Sequence, residues 1–166
     1  MFLTKALVVA SEMLMIRVEL AHTFPISVGD GFAYITDTKN WNAFFPNFVR
    51  LDDAASAKWD TPGDKVAVVI RLLGREVQVS MTLEQYQKDN RVTYVSRQRG
   101  LPDASHERHF RSVPGGFEFR PVIAFEPRSG LAGLLDRLLV GQAVAGALTK
   151  TIENLESAFV RQRPRM

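Results

Sequence analysis

Residues 131–159 read LAGLLDRLLVGQAVAGALTKTIENLESAF, and the apolar side chains in this segment recur at helical spacing. The stripe consists of Leu131, Leu134, Leu135, Leu138, Ala145, Leu148, Ile152, Leu155 and Phe159. The spacing predicts one helix of about eight turns at 3.6 residues per turn. An apolar stripe of that length needs an equally long apolar partner. We therefore expect the whole helix to pack on the dry face of a sheet.

The sequence before this helix alternates with a period of two, which is typical of strands. The predicted strands cover residues 15–24, 48–52, 65–73, 76–86, 91–97, 106–113 and 117–125. Turn residues such as Pro62 with Gly63 and Asp89 with Asn90 separate them, so consecutive strands should pair as antiparallel hairpins. Pro121 lies inside the last strand, where it removes a backbone donor and predicts a bulge or a local edge.

Two short helices are expected between the first and second strands. Ser27 is a suitable N-cap for the first, and residues 41–45 form the second, which Pro46 ends. The predicted fold class is α+β, with a seven-stranded curved antiparallel sheet wrapped on a long C-terminal helix. A chain of 166 residues fits one such domain. We assign residues 13–160 to it, residues 1–12 to an N-terminal extension and residues 161–166 to a basic tail.

Composition excludes several classes of function. The chain has no cysteine, which rules out disulfides and thiolate chemistry and is consistent with a cytoplasmic protein. The net charge of +3 comes with no nucleic-acid motif, and no uninterrupted apolar run reaches the length of a membrane span, so we expect neither nucleic-acid binding nor stable membrane insertion. His106 and His109 fall on opposite faces of a strand. Together with the lack of glycine-rich phosphate loops, this predicts no metal and no cofactor.

The centre of the long helix is unusually rich in small residues. Gly141, Ala143, Ala145, Gly146 and Ala147 occupy positions where a core helix normally carries Leu or Ile. Either the helix approaches the sheet closely there, or the small side chains leave room for a ligand. A curved sheet with bulky inward side chains cannot lie flat on a straight helix, which favours the second explanation. The predicted partner is therefore a hydrophobic small molecule bound in an internal pocket.

The order of elements and several local motifs resemble the START/Bet v 1-like (SRPBCC) superfamily, in its polyketide cyclase/dehydrase-like or lipid-transport branch. The matching positions are Pro25, Asp37, Trp41, Phe45-Pro46, Gly63, Gly100-Leu101-Pro102, Gly115-Gly116, Phe125-Glu126-Pro127, Gly130-Leu131 and Leu155-Glu156. The resemblance implies the helix-grip fold. It does not select a function, because proteins of this kind include enzymes, carriers and receptors.

Candidate site residues follow from the strand alternation. If Phe110 points inward, His106 and Arg108 share its face, while Glu107, His109 and Arg111 face water. An inward His106 and Arg108 pair would orient a ligand carbonyl or carboxylate, with His106 moving a proton. The alternative is that both reach solvent at the sheet rim. The ligand-binding candidates, whose alternative role is ordinary core packing, are Trp41, Met81, Tyr94, Phe110, Phe119, Ile123 and Ala145.

Three functions remain open at this point. The first is binding or transport of a lipid, quinone or polyketide-like molecule. The second is a cyclase or dehydratase that acts on a polyketide-like substrate through His106 and Arg108. The third is a protein-interaction module, which a wide exposed apolar patch beside a solid core would favour.

Overall fold

A computed structural model describes residues 7–10, 15–54, 57–72 and 74–162, with only the backbone described for residues 7–10 and 162. Within these ranges nine strands form one antiparallel sheet. They are β1 (Leu7–Ala10), β2 (Ile16–Glu19), β3 (His22–Phe24), β4 (Phe48–Leu51), β5 (Lys65–Leu72), β6 (Arg75–Gln87), β7 (Arg91–Gln98), β8 (Ala104–Val113) and β9 (Gly116–Phe125). Residues 13, 14, 55, 56 and 73 of the predicted domain, residues 1–6, 11 and 12 of the predicted extension and residues 163–166 of the predicted tail lie outside the described ranges.

The sheet is open, and its strand order is β1-β2-β9-β8-β7-β6-β5-β4, with β3 also paired to β9. Six consecutive hairpin-linked strands, β4 to β9, match the six that the alternation predicts after the short helices. The α+β helix-grip class is confirmed. Leu7–Ala10, in the segment assigned to the extension, pairs with β2 and adds an edge strand to the predicted seven.

Pro121 interrupts the sheet on one side only. The first predicted strand is split into β2 and β3, yet both keep the same register against β9, as the pairs Glu19 with Val122 and His22 with Phe119 show. Of the two outcomes expected at Pro121, the bulge is wrong, and the local edge is present as the gap between β2 and β3. Between the two strands the backbone N–H of Leu20 donates to the Pro121 carbonyl at 3.2 Å, and the return bond is missing because proline has no N–H. The cost of the proline is one ladder bond.

Two helices and a 3-10 turn fill the link between β3 and β4: α1 (Val28–Thr36), the turn Thr38–Asn40, and α2 (Trp41–Phe44). Ser27 caps α1 as predicted, since its hydroxyl accepts from the backbone N–H of Asp30. Gly31 allows α1 to lie directly on the sheet, because a Cβ there would stand 2.2 Å from a ring carbon of Phe117.

The C-terminal helix runs through α3 (Gly130–Leu135), a π-helical turn (Asp136–Val140) and α4 (Gly141–Gln162). Its start is held by the buried carboxylate of Asp136, which accepts from the backbone N–H of Arg128 at 2.9 Å and from the Arg128 guanidinium at 3.0 and 2.7 Å. These hydrogen bonds lower the pKa of Asp136 below its usual value.

The expectation that the whole helix packs on the sheet is wrong for its first part. Leu148, Ile152, Leu155 and Phe159 are buried, whereas Leu131, Leu134, Leu135, Leu138 and Leu139 are between 48% and 75% exposed. The sheet ends before the helix does, and helical periodicity does not reveal where its partner stops. We call residues 130–140 the overhang.

By length and composition alone, the segment Gly130–Arg161 qualifies as a possible membrane span, with a window of mean hydropathy 1.4. The sequence contains no uninterrupted apolar run of that length, as expected. The segment still qualifies because its apolar window includes two charged residues, Asp136 and Arg137. Most of that window is not buried, and burial in the core is concentrated in the later part of the helix, where Leu155 and Phe159 are almost completely covered.

The packing of the interior changes from one end of the sheet to the other along the strand direction. At one end, which we call the solid end, Phe24, Phe32, Phe110, Phe117 and Phe159 pack ring against ring, with centroids 4.9 to 6.3 Å apart. At the other, the hollow end, the sheet and the middle of α4 enclose a cavity. The overhang continues beyond it.

Candidate functional site

The cavity has a volume of about 250 Å³ and lies between the sheet, the middle of α4 and the α2–β4 link. Its wall is largely apolar, with contributions from Phe44, Phe45, Val68, Ile70, Val79, Met81, Phe119, Val122, Ile123 and Leu148. Phe44 and Phe45 come from α2 and the link that follows it, and Leu148 comes from α4. The others come from β5, β6 and β9, where alternate residues such as Val68 and Ile70 point to the concave face. An enclosure of this size and lining fits a small apolar molecule.

The small residues of α4 contribute less to the cavity than the sequence predicts. Of the five, only Ala147 lines it, alongside Leu148 and Thr151. Gly146 has no atom within 4 Å of where its Cβ would be, and Gly141 comes near Ile16 alone. A cavity at mid-helix is therefore present, but it arises from the curvature of the sheet and the single small residue Ala147.

Three polar side chains come together on the cavity wall. Tyr94 and His106 are direct partners across β7 and β8, and their rings stack with centroids 4.4 Å apart and planes within 6°. Arg108, two residues after His106, reaches the same place, and its Nη2 donates to the Tyr94 hydroxyl at 3.0 Å. The inward direction predicted for His106 and Arg108 is correct; Arg108 is buried, and His106, on the same cavity wall, is partly exposed.

His106 is neutral in this environment. Burial, and secondly the positive charge of Arg108, lower the pKa of His106 to about 3. Its Nε2 lies 2.7 Å from the Ser96 hydroxyl, with donor and acceptor roles that depend on the tautomer. A group that resists protonation this strongly is a weak proton acceptor near neutral pH, because efficient general bases have pKa values close to the working pH.

Arg108 carries the charge of the site. Its side chain is 7% exposed, and its guanidinium carbon lies 5.1 Å from the ring centroid of Tyr94 and 5.5 Å from that of Phe45. Nη1 is buried and has no hydrogen-bond partner among the described residues. No carboxylate of the described residues forms an ion pair with it, and this leaves a cation enclosed by aromatic rings.

The outer face of the same strand behaves as the alternation predicts. Glu107 points away from the cavity side chains and pairs with Arg91 at 3.0 Å, with His109 at 2.9 Å and with Arg17 at 3.7 Å. Arg111 pairs with Glu118 on the exposed surface. The charged residues of β8 are thus divided between a networked outer face and the single inward cation Arg108.

The structure brings six of the nine predicted site residues together on the cavity wall: Met81, Tyr94, His106, Arg108, Phe119 and Ile123. The other three lie elsewhere. Trp41 is fully buried in the closed core, where its indole N–H donates to the Ile35 carbonyl at 3.2 Å. Phe110 packs in the solid end, and Ala145 lies on α4 outside the cavity lining. Their positions follow from packing that strand and helix periodicity do not specify.

Sequence reasoning missed Phe45 and Ser96. Phe45 lies against the Arg108 guanidinium because the α2–β4 link folds over the cavity, and no sequence signal predicts that approach. Ser96 could have been predicted, because it is two residues after Tyr94 on β7 and therefore points to the same face of the sheet as Tyr94. Residues 76, 78, 80, 97 and 99 form a separate shallow depression on the outer face of the sheet.

Comparison with known families identifies one match. The family described as "Polyketide cyclase / dehydrase and lipid transport" matches residues 15–160, which is most of the chain. A comparison with curated proteins finds no significant match.

Solved structures share the fold at low sequence identity. A protein from Rhodobacter sphaeroides is 12% identical with a TM-score of 0.73, covering 96% of this chain and 100% of its own. Ara h 8.0201 is 15% identical with a TM-score of 0.71, covering 89% and 99%. The di-domain ARO/CYC StfQ from the steffimycin biosynthetic pathway is 13% identical with a TM-score of 0.69, covering 87% of this chain and 50% of its own. These likenesses concern the fold alone.

Proposed function

The chain belongs to the polyketide cyclase/dehydrase and lipid-transport family, and from this premise we propose that it binds and carries a hydrophobic small molecule in the cavity of its hollow end. The class we propose is a lipid, a quinone or a polyketide-like molecule. The supporting observation is a partly open, largely apolar cavity of about 250 Å³ at the point where a closed core would otherwise continue. Burial of apolar ligand surface in such a cavity is favourable by roughly 25 cal/mol per Å².

The polar groups on the wall favour binding over catalysis. His106 is the only titratable base among Tyr94, His106 and Arg108, and its pKa of about 3 makes it a poor proton acceptor at neutral pH. The guanidinium of Arg108 serves as a fixed positive charge. This chemistry suits the orientation of a ligand better than the movement of a proton.

A cyclase or dehydratase on a polyketide-like substrate is the second candidate. Its support is the convergence of Tyr94, His106 and Arg108 in one cavity, where a bound carbonyl would meet both a cation and a hydroxyl. In this version Arg108 would stabilise a developing enolate oxygen. The role of His106 as the proton-transfer group would require the ligand to raise its pKa substantially.

The test of the first proposal is a cavity-filling variant with a matched control. Ala147 lines the cavity, whereas Ala143 is exposed on the same helix. We expect the neutral apolar probe N-phenyl-1-naphthylamine to bind the wild type and Ala143→Phe alike, and to bind Ala147→Phe at least tenfold more weakly. Native mass spectrometry of the purified wild type should in addition reveal a retained small molecule.

Two results would count against carriage. One is a wild-type protein that neither retains a ligand nor binds the probe. The other is equal probe binding by Ala147→Phe and Ala143→Phe, which would place the probe outside the cavity. For the enzyme reading, turnover of a polyketide-like substrate that His106→Gln abolishes would establish the second candidate in place of the first.

The overhang bears on the interaction-module reading. It supplies the exposed apolar patch that this reading requires, but the core beside it is hollow, whereas the reading calls for a solid one. We therefore place ligand carriage first. The proposed location is the cytoplasm, in keeping with the absence of cysteine.

A further inference from the structure

We infer that the ligand of this cavity is an organic acid, an apolar molecule whose carboxylate pairs with Arg108 and accepts a hydrogen bond from the Tyr94 hydroxyl. The inference rests on the proposed function and specifies its ligand class. Its starting point is a buried cation, Arg108, at a position of the cavity wall where an apolar side chain would avoid the free-energy cost of burying a charge.

Arg108 lacks the compensation that a buried charge normally has. Buried charges in proteins are almost always paired with an opposite charge and fully hydrogen-bonded. Here the guanidinium makes one hydrogen bond, to Tyr94, and contacts the faces of the Tyr94 and Phe45 rings, while Nη1 has no partner among the described residues. Contacts with aromatic rings recover only part of the lost hydration of the cation.

No carboxylate of the described chain is available to complete the pair. Glu107, next in sequence, lies on the opposite face of β8 and is already engaged by Arg17, Arg91 and His109. His106, the nearest titratable neighbour on the cavity side, contributes no negative charge. Since none of the described residues supplies a neutralising anion, we assign that role to a bound molecule.

The neighbouring hydroxyl favours an anion as well. The Tyr94 oxygen accepts its hydrogen bond from Arg108, and its own proton has no acceptor among the described contacts. Arg108 and Tyr94 thus offer a ligand two donors at one point of an otherwise apolar wall. Two donors that include a cation recognise a carboxylate better than a neutral hydroxyl, because charge-assisted hydrogen bonds are about twice as strong as neutral ones.

A matched pair of probes tests this directly: decanoate and 1-decanol share an apolar chain and differ in the charged group. At neutral pH we expect the wild type to bind decanoate at least tenfold more tightly than 1-decanol, measured by displacement of N-phenyl-1-naphthylamine. Arg108→Met should reduce this preference to less than threefold while 1-decanol binding is retained. Arg111→Met removes an arginine from the outer face of the same strand and should keep the full preference.

The outcomes separate this inference from the proposed function. If decanoate and 1-decanol bind the wild type equally, or if neither displaces N-phenyl-1-naphthylamine, the acid assignment is overturned and carriage stands. If the wild type neither binds N-phenyl-1-naphthylamine nor retains a ligand, carriage itself fails. A preference for decanoate that survives in Arg108→Met would place the anion elsewhere. Should Arg108→Met fail to fold, Tyr94→Phe provides a second measurement, with an expected threefold or greater loss in decanoate affinity and no change for 1-decanol; an unchanged decanoate affinity would refute the role of the hydroxyl.

Discussion

The solid end and the hollow end of this domain are built from the same strands, yet side chains fill the first and leave a cavity in the second. Along β8, Phe110 contacts the ring of Phe32 in the solid end, while Arg108 and His106, two and four residues before it, line the cavity. Along β9, Phe117 is fully buried and Ile123 borders the cavity. Alternation gives each strand a dry face but does not determine whether that face meets another side chain.

What differs between the ends is the element that covers the sheet. Over the solid end lie α1 and the last turns of α4, which bring Phe32, Leu155 and Phe159 down onto the sheet. The hollow end is covered by the part of α4 around Ala147. The side chain of Ala147 is only a methyl group, whereas aromatic rings fill the corresponding space at the solid end. The stability of the domain should therefore reside mainly in the solid end, while the hollow end is free to vary for ligand binding.

The largest effect should come from truncation of a ring in the solid end. Phe117→Ala is expected to lower the free energy of unfolding by about 3–5 kcal/mol, because Phe24, Phe110 and Phe159 cannot all collapse into the space. Ile123→Ala, on the same strand at the hollow end, should cost about 1 kcal/mol, since the deleted groups border an existing cavity. Urea denaturation of both variants measures the difference, and equal losses would mean that the two ends are packed alike.

Much of this architecture could be predicted from the sequence, for identifiable reasons. The strands after the short helices are separated by strong turn residues, and the inward direction of His106 and Arg108 follows from the alternation around Phe110. The overhang could not be predicted, because Leu131 and Leu155 belong to the same apolar helical stripe, and nothing in the stripe marks where its partner ends. The approach of Phe45 to Arg108 depends on how a loop folds over the sheet, which no local pattern encodes.

Enlargement of small residues should give opposite signs at the two ends. Gly31→Ala places a methyl group 2.2 Å from a ring carbon of Phe117, which has no room to move, and should destabilise the fold by about 1–3 kcal/mol despite the better helix propensity of alanine. Ala147→Leu extends into the cavity and should leave stability unchanged or raise it by up to about 1 kcal/mol. Thermal denaturation of the two variants provides the check; destabilisation by Ala147→Leu would contradict the presence of free space.

The hollow end should also respond to pH through His106. Its pKa is about 3 in the folded protein, below the unfolded value near 6.5, so the unfolded state binds the extra proton between these two values. The contribution to stability is fully present above pH 6.5 and is lost as the pH falls toward 3, with a slope of up to about 1.4 kcal/mol per pH unit. His106→Gln should flatten the profile by that slope in urea titrations at pH 4 to 7, and parallel wild-type and variant profiles would show that His106 is not held neutral.

The smallest effect is expected beyond both ends, in the overhang. Leu131 is 75% exposed, so Leu131→Ser should change the free energy of unfolding by no more than about 0.5 kcal/mol, whereas Leu155, in the same apolar stripe, is completely buried. Leu155→Ala provides the contrast, with an expected loss of about 2–5 kcal/mol. A cost above about 1.5 kcal/mol for Leu131→Ser would mean that this leucine is covered in solution. Repeating the denaturation over a range of protein concentrations would then identify the cover, because burial between two copies makes stability rise with concentration and burial within one chain does not.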